Sequence, residues 1–69
     1  MTNTELLNQK IEMSGYKRSF IAKQLGLSAY GLAKKIQNET EFKASEINAL
    51  CVLLNIVSPE EKEAIFFAM

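Results

Sequence analysis

Histidine is missing from this chain altogether. Its absence removes the commonest general base and the commonest metal ligand, and every His-based triad with them. Cysteine occurs once, as Cys51. An internal disulfide and a multi-cysteine zinc site are both excluded. Cys51 sits in the apolar run ALCVLLNI and reads as a small core residue. The longest apolar stretch, Ala49 to Leu54, is too short to span a membrane. No basic-apolar-small signal segment opens the chain, so the cytoplasm is the expected compartment. Repeats, low-complexity stretches and linkers are absent too. Apolar residues recur at helical rather than alternating spacing, so strands are not expected. There is no phosphate loop and no nucleophile-base pair. Glu60, Glu61 and Glu63 form the one acidic cluster, and a helix start accounts for them. Neither an enzyme, a cofactor, a metal nor a small-molecule substrate is expected.

What is present fits one small domain over residues 1–69. Apolar residues make up 48% of the chain, enough to fold. The core is thin at this length, so a second copy adding buried surface is plausible. Net charge is zero, but it is unevenly placed. Lys10, Lys17, Arg18, Lys23, Lys34, Lys35 and Lys43 face only Glu12, Glu39 and Glu41 in the middle of the chain. A basic middle between acidic flanks is a local electrostatic footprint, and it matters more than the total.

Five helices are expected. The first runs from about Thr4 to Met13, capped by Thr2 with Glu5 or by Thr4 alone, and Gly15 stops it. Leu7 and Ile11 share its buried face, and Tyr16 packs at the junction beyond. The second spans Lys17 or Arg18 to Leu25, with Phe20, Ile21, Ala22 and Leu25 as its apolar face. Its start lacks a good cap. The third covers Ala29 to Gln37, capped by Ser28, with Leu32 and Ile36 inward and Lys34 outward. Gly31 costs this helix roughly 1 kcal/mol relative to Ala, which close approach to another surface would offset. Asn38 to Ala44 is a loop anchored by Phe42. Asn38 suits the left-handed residue that ends the third helix. Ser45 caps a fourth helix to about Leu54, burying Ile47, Leu50, Leu53 and Leu54. Ser58-Pro59-Glu60-Glu61 opens the fifth with a capping box and Pro at the first helical position. Phe66 and Phe67 cannot both face one small core, so one is exposed or meets a partner.

The stretch RSFIAKQLGLSAYGLAKKIQ, Arg18 to Gln37, organises the rest. Ala22 is small where two steeply crossed helices come closest. Gly26 takes the left-handed turn, Leu27 plugs the corner, and Leu32 follows six residues after Gly26. This is the layout of a DNA-binding helix-turn-helix.

FIAKQLGLSAYGLAKKI, then IQNETEFKASEI, then LNIVSPEEKEAIFF together resemble the short phage Cro and repressor-type helix-turn-helix proteins of Gram-positive phages and prophages. The resemblance covers nearly the whole chain. It implies an all-α, five-helix, lambda-repressor-like domain whose helix-turn-helix is built from the second and third helices. It implies a bacterial host cytoplasm, an operator in double-stranded DNA as partner, and in many members a homodimer. Its base contacts fall on Ser28, Ala29, Tyr30, Ala33 and Lys34. Its phosphate contacts fall on Arg18, Ser19, Asn38 and Lys43. The sequence departs from the family's pattern at Lys17, where a capping hydroxyl is usual. It departs at Glu39, often Lys, and at Ala29 and Ala33, where many relatives carry amides.

The residues themselves support part of this. Lys34 can donate to guanine, and Tyr30 can donate, accept or pack on a thymine methyl. Lys35 lies on the helix flank and is expected in solvent or on a phosphate. Phe66, Phe67 and Met69 supply more apolar surface than one thin core uses, and mark the expected dimer interface. The expected function is a sequence-specific regulator, a repressor that occludes polymerase as a dimer on a near-palindromic operator. The alternative is a protein-binding module, an anti-repressor or adaptor, that keeps the fold with little DNA affinity.

Overall fold

The computed structural model describes all residues from 1 to 69, and each of its five helices starts or stops on a local chemical signal. α1 spans Thr4–Ser14, α2 Arg18–Gln24, α3 Ala29–Ile36, α4 Ala44–Leu53 and α5 Pro59–Phe66. There are no strands. No helix is long and apolar enough to cross a membrane.

Three starts differ in detail from the sequence expectation. Asn3, not Thr2 or Thr4, caps α1: its Oδ1 accepts the Leu6 amide at 3.1 Å. α4 begins one residue early, at Ala44, so Ser45 lies inside its first turn. The Glu46 carboxylate accepts the Lys43 amide at 2.8 Å and closes that end instead. At α5, Ser58 Oγ accepts the Glu61 amide at 3.0 Å. The returning half of the expected box is missing because the Glu61 carboxylate pairs with Lys10 at 2.6 Å. α2 starts at Arg18, and Lys17 before it supplies no side-chain cap, as its sequence implied.

Three helices end in the same way. A residue with positive φ follows the helix, and the next amide reaches back five residues. At α2 the residue is Gly26, φ 72°, and Leu27 donates to the Ala22 carbonyl at 2.8 Å. At α3 it is Asn38, φ 66°, with Glu39 donating to Lys34 at 2.9 Å. At α4 it is Asn55, φ 58°, with Ile56 donating to Cys51 at 2.8 Å. These Schellman closures satisfy carbonyls that the helix ends leave open. Gly and Asn bear the left-handed conformation at least cost.

Each helix then buries one stripe. The core holds Leu7, Ile11, Ile21, Ala22, Leu32, Ile36, Ile47, Leu50, Leu54, Ile56, Ile65 and Phe66. α2 and α3 pack most extensively on each other, with Ala22 buried between them. Phe42 anchors its loop edge-on against Phe66, ring centroids 5.8 Å apart. Phe20 departs from expectation. It stays outside the core, tilted against the half-exposed Tyr16 at 5.1 Å. Gly31 has a use inside the fold: a Cβ there would come within 3.2 Å of Ser28 Oγ, which caps α3 on the Gly31 amide.

The chain ends are tied together through the α3 exit. Thr2 donates its amide to Asn38 Oδ1 and accepts Asn38 Nδ2 at its carbonyl, both at 2.8 Å. Asn3 donates to Ile65 O at 2.6 Å, and Ala68 donates to Met1 O at 2.9 Å. Asn38 therefore does two jobs, one in its backbone and one in its amide. Asn38→Ala should lose both. The expected destabilisation is about 2–4 kcal/mol, from two hydrogen bonds and one left-handed residue bearing a Cβ. Asn38→Gly should recover only the backbone part. Thermal melts of the two variants check this. Equal melting temperatures for both would show that the left-handed backbone costs nothing here.

Candidate nucleic-acid interface

A helix advances 3.6 residues per turn, so α3 presents three distinct strips beside its buried one. Leu32 and Ile36 face the core. Tyr30 and Lys34, four apart, form a ridge opposite the core, Tyr30 exposed and Lys34 half-buried. Tyr30 is 74% exposed, and Lys34 Nζ lies 5.5 Å from its ring centroid, a cation-π pair. Ala29, Ala33 and Gln37 run along one flank and are exposed. Gly31 and Lys35 lie on the other. Ser28 is exposed at the helix start, where its side chain accepts the Gly31 amide at 2.9 Å.

The flank bearing Ala29, Ala33 and Gln37 faces the start of α2 and the outer side of α1. Together they line a cleft. Its walls are Thr4, Asn8, Arg18, Ala29, Ala33 and Gln37, and its floor is Leu32 and Ile36. Arg18 and Ser19 are exposed at the first turn of α2. Neither α2 nor α3 carries an acid in its first turn, whereas α1, α4 and α5 all do. The amides at these two helix starts are thus left without a competing carboxylate. Lys43 is exposed at the start of α4. Lys17, Arg18, Lys23, Lys34 and Lys43 enter no ion pair.

Three expected contacts are engaged elsewhere. Lys35 turns toward α4, where its Nζ lies 2.7 Å from Glu46 Oε1 and 3.1 Å from the Glu41 carbonyl. The two side chains are only 12% and 8% exposed, so Lys35 is an internal tie, not a free phosphate contact. One residue beyond Lys34 on a helix is a rotation of about 100°, enough to carry it from the outer ridge to the α4 side. The Asn38 amide is committed to Thr2 and is likewise not free for a phosphate. Phe66 is only 4% exposed and belongs to the core, so it does not form an interface. Phe67 is 54% exposed and Met69 fully so. The sequence divided the Phe pair correctly in number; the helix phase decides which one faces inward.

Asn8 and Gln37 were missed as candidate site residues. Asn8 sits four residues after Thr4, which would have put both on one face of α1, but nothing in the sequence tells which neighbour that face meets. Elsewhere, no group of three or more His, Cys, Asp or Glu is placed to hold a metal ion. Cys51 is partly buried, and burial pushes its thiol pKa up, away from a reactive thiolate.

Glu46 carries a pH dependence. Burial alone would raise its pKa, but the Lys35 ammonium and the Lys43 amide outweigh it, and the carboxyl lies below the ordinary glutamate value. A carboxyl depressed in the folded state stabilises the fold fully above its unfolded pKa, and that contribution is lost as pH falls through the folded value. Stability should therefore drop on the acid side, below about pH 4. Glu46→Gln should start less stable at neutral pH and show a shallower acid decline. Parallel melting curves for the two proteins between neutral and acid pH would contradict this role for Glu46.

No family model, no curated protein and no solved structure matches this chain.

Proposed function

We propose that this chain is a helix-turn-helix DNA-binding regulator of the lambda-repressor-like kind, similar to phage Cro proteins. The observation that carries the reading is the α2–α3 corner. It is closed by the left-handed Gly26 over a buried Ala22, and it leaves Tyr30 exposed on α3 with the half-buried Lys34 beside its ring. An exposed helix held this way fits the major groove, which is about 12 Å wide. Lys34 and Tyr30 then meet base edges, with Ser28 at the helix start. Arg18, Ser19 and Lys43 meet phosphates. No chemistry is required: a bound protein blocks polymerase, which makes a repressor the simplest regulator.

One α3 carries few directional donors, so one copy reads only a few base pairs. Two copies on half-sites about 34–36 Å apart double the readout. The exposed Phe67 and Met69 support a homodimer through the end of the chain, on a near-palindromic operator. The withdrawal of Lys35 into the Glu46 pair favours the other reading, a protein-binding module of the same fold, because it lowers the charge available to DNA.

Selection of bound sequences from a random DNA pool separates the two. A DNA-binding regulator should enrich a two-fold symmetric site, and its affinity should fall as salt rises. An adaptor should enrich nothing.

Two substitutions test the residue roles. Arg18→Ala should weaken all sequences alike and lower the salt slope by about 0.9, one phosphate's worth. Lys34→Ala should cost roughly 1–3 kcal/mol on the selected site and relax one base position per half-site. Equal weakening on selected and random DNA would make Lys34 a phosphate contact. For assembly, Phe67→Ala should shift sedimentation toward monomer at every concentration while leaving the melting temperature nearly unchanged. Unaltered dimerisation would remove this interface.

A further inference from the structure

Residues 12–17, EMSGYK, turn the corner from α1 into α2, and all but the half-buried Ser14 are exposed. Gly15 makes the turn at φ 76°, its amide donating to the Glu12 carbonyl at 3.3 Å. Met13 is 78% exposed, and Tyr16 stands half-exposed against Phe20. Beside them a cleft opens toward the end of α4, where Leu53, Leu54 and Asn55 line it. Lys10, the one charge in this cleft, is held by Glu61. The corner contains no residue assigned above to DNA or to the chain-end dimer.

Two unlike charges frame this apolar corner. Glu12 precedes Met13 and Lys17 follows Tyr16, both exposed, and neither enters an ion pair. A partner of one sign would attract one of them and repel the other. The partner that suits both carries an acid and a base in the opposite order. EMSGYK reversed does so: Glu12 falls opposite Lys17, Met13 opposite Tyr16, and Ser14 opposite Gly15. A two-fold axis through the corner imposes that reversal, because it sets two identical segments antiparallel.

We infer that this corner is a second self-association face, on which another copy of the chain docks about a two-fold axis passing between Ser14 and Gly15. Glu12 of each copy pairs with Lys17 of the other. Met13 of each lies against the Tyr16 ring of the other, a thioether–aromatic contact. Ser14 and Gly15, short at the axis, let the two corners approach. The face is small, so the association is weak in free solution. Two copies already held near one another meet at an effective concentration in the millimolar range, and there the contact matters. The corner is separate from Phe67 and Met69, so a chain using both faces associates beyond a dimer. The contact requires no DNA, and its test is separate from that of the DNA reading.

The parent for the test is Phe67→Ala, which removes the chain-end face. Sedimentation equilibrium is run at low salt on a concentration series reaching about 1 mM, and each variant is melted alone to show that it folds. The parent should associate to a dimer at the upper end of the series. In that background Glu12→Lys and Lys17→Glu should each weaken association by roughly 10- to 30-fold, because the symmetry turns two attractions into two repulsions. An equimolar mixture of the two should associate nearly as tightly as the parent, and so should the double variant Glu12→Lys/Lys17→Glu, since both restore the opposite-charge pairs. These charge effects should fade as salt rises, whereas Met13→Ser should weaken association at low and high salt alike. Single reversals or Met13→Ser that associate as the parent does would overturn the face, as would a mixture no tighter than its components. A parent that stays monomeric at the highest concentration would also overturn it and leave the corner to a different protein.

Discussion

The Leu27 amide donates to the Ala22 carbonyl across the left-handed Gly26, and the exposed face of α3 depends on that closure. It fixes where α3 begins relative to α2. With the start fixed, Leu32 and Ile36 turn into the core and the remaining strips follow by rotation. The closure works because Ala22 is small. A longer side chain at the buried crossing would push the helices apart, and overpacking of a tight core is itself destabilising. The two requirements, no Cβ strain at residue 26 and no bulk at residue 22, are local, yet they determine what a partner of α3 would meet.

Charge is handled by the same geometry. Of the basic residues in the middle of the chain, Lys10 and Lys35 are drawn into ion pairs with Glu61 and Glu46. Those pairs join α1 to α5 and the end of α3 to α4. The cations left free lie at the start of α2, within it, on the ridge of α3 and before α4. A chain with zero net charge thereby keeps unpaired cations along α2, on α3 and before α4, with the exposed Glu39 and Glu41 in the loop between α3 and α4. Asn38 ties this region to the chain ends through Thr2, so the α3 exit and the α5 end form one structural unit.

Much of this could be read from sequence, and the part that could not has a physical cause. Helix number and approximate limits followed from apolar spacing and from Gly15, Gly26, Ser28 and Pro59. Asn38 was recognisable as a left-handed residue, but its amide's bond to Thr2 spans 36 positions and has no local sign. The α4 start was misplaced because Ser45 is a better cap by type, while Glu46 supplies the bond from inside the helix. Lys35 looked like a surface charge, since its partner Glu46 is eleven residues away on another helix. Phe20 looked buried because three apolar residues follow one another around α2, and only Ile21 and Ala22 of them fit the core. The candidate contacts on α3 were legible as a helix face. The cleft was not, because it joins three helices.

The ridge of α3 is the surface we propose for duplex DNA. Amide chemical-shift mapping of the full chain during titration with a duplex carrying the enriched site tests it most directly. Shifts should concentrate at residues 18–19, 28–34 and 43, with Val52, Met13 and Tyr16 unmoved. Shifts centred on Met13, Tyr16 and Val52, or none at saturating low-salt DNA, would contradict it.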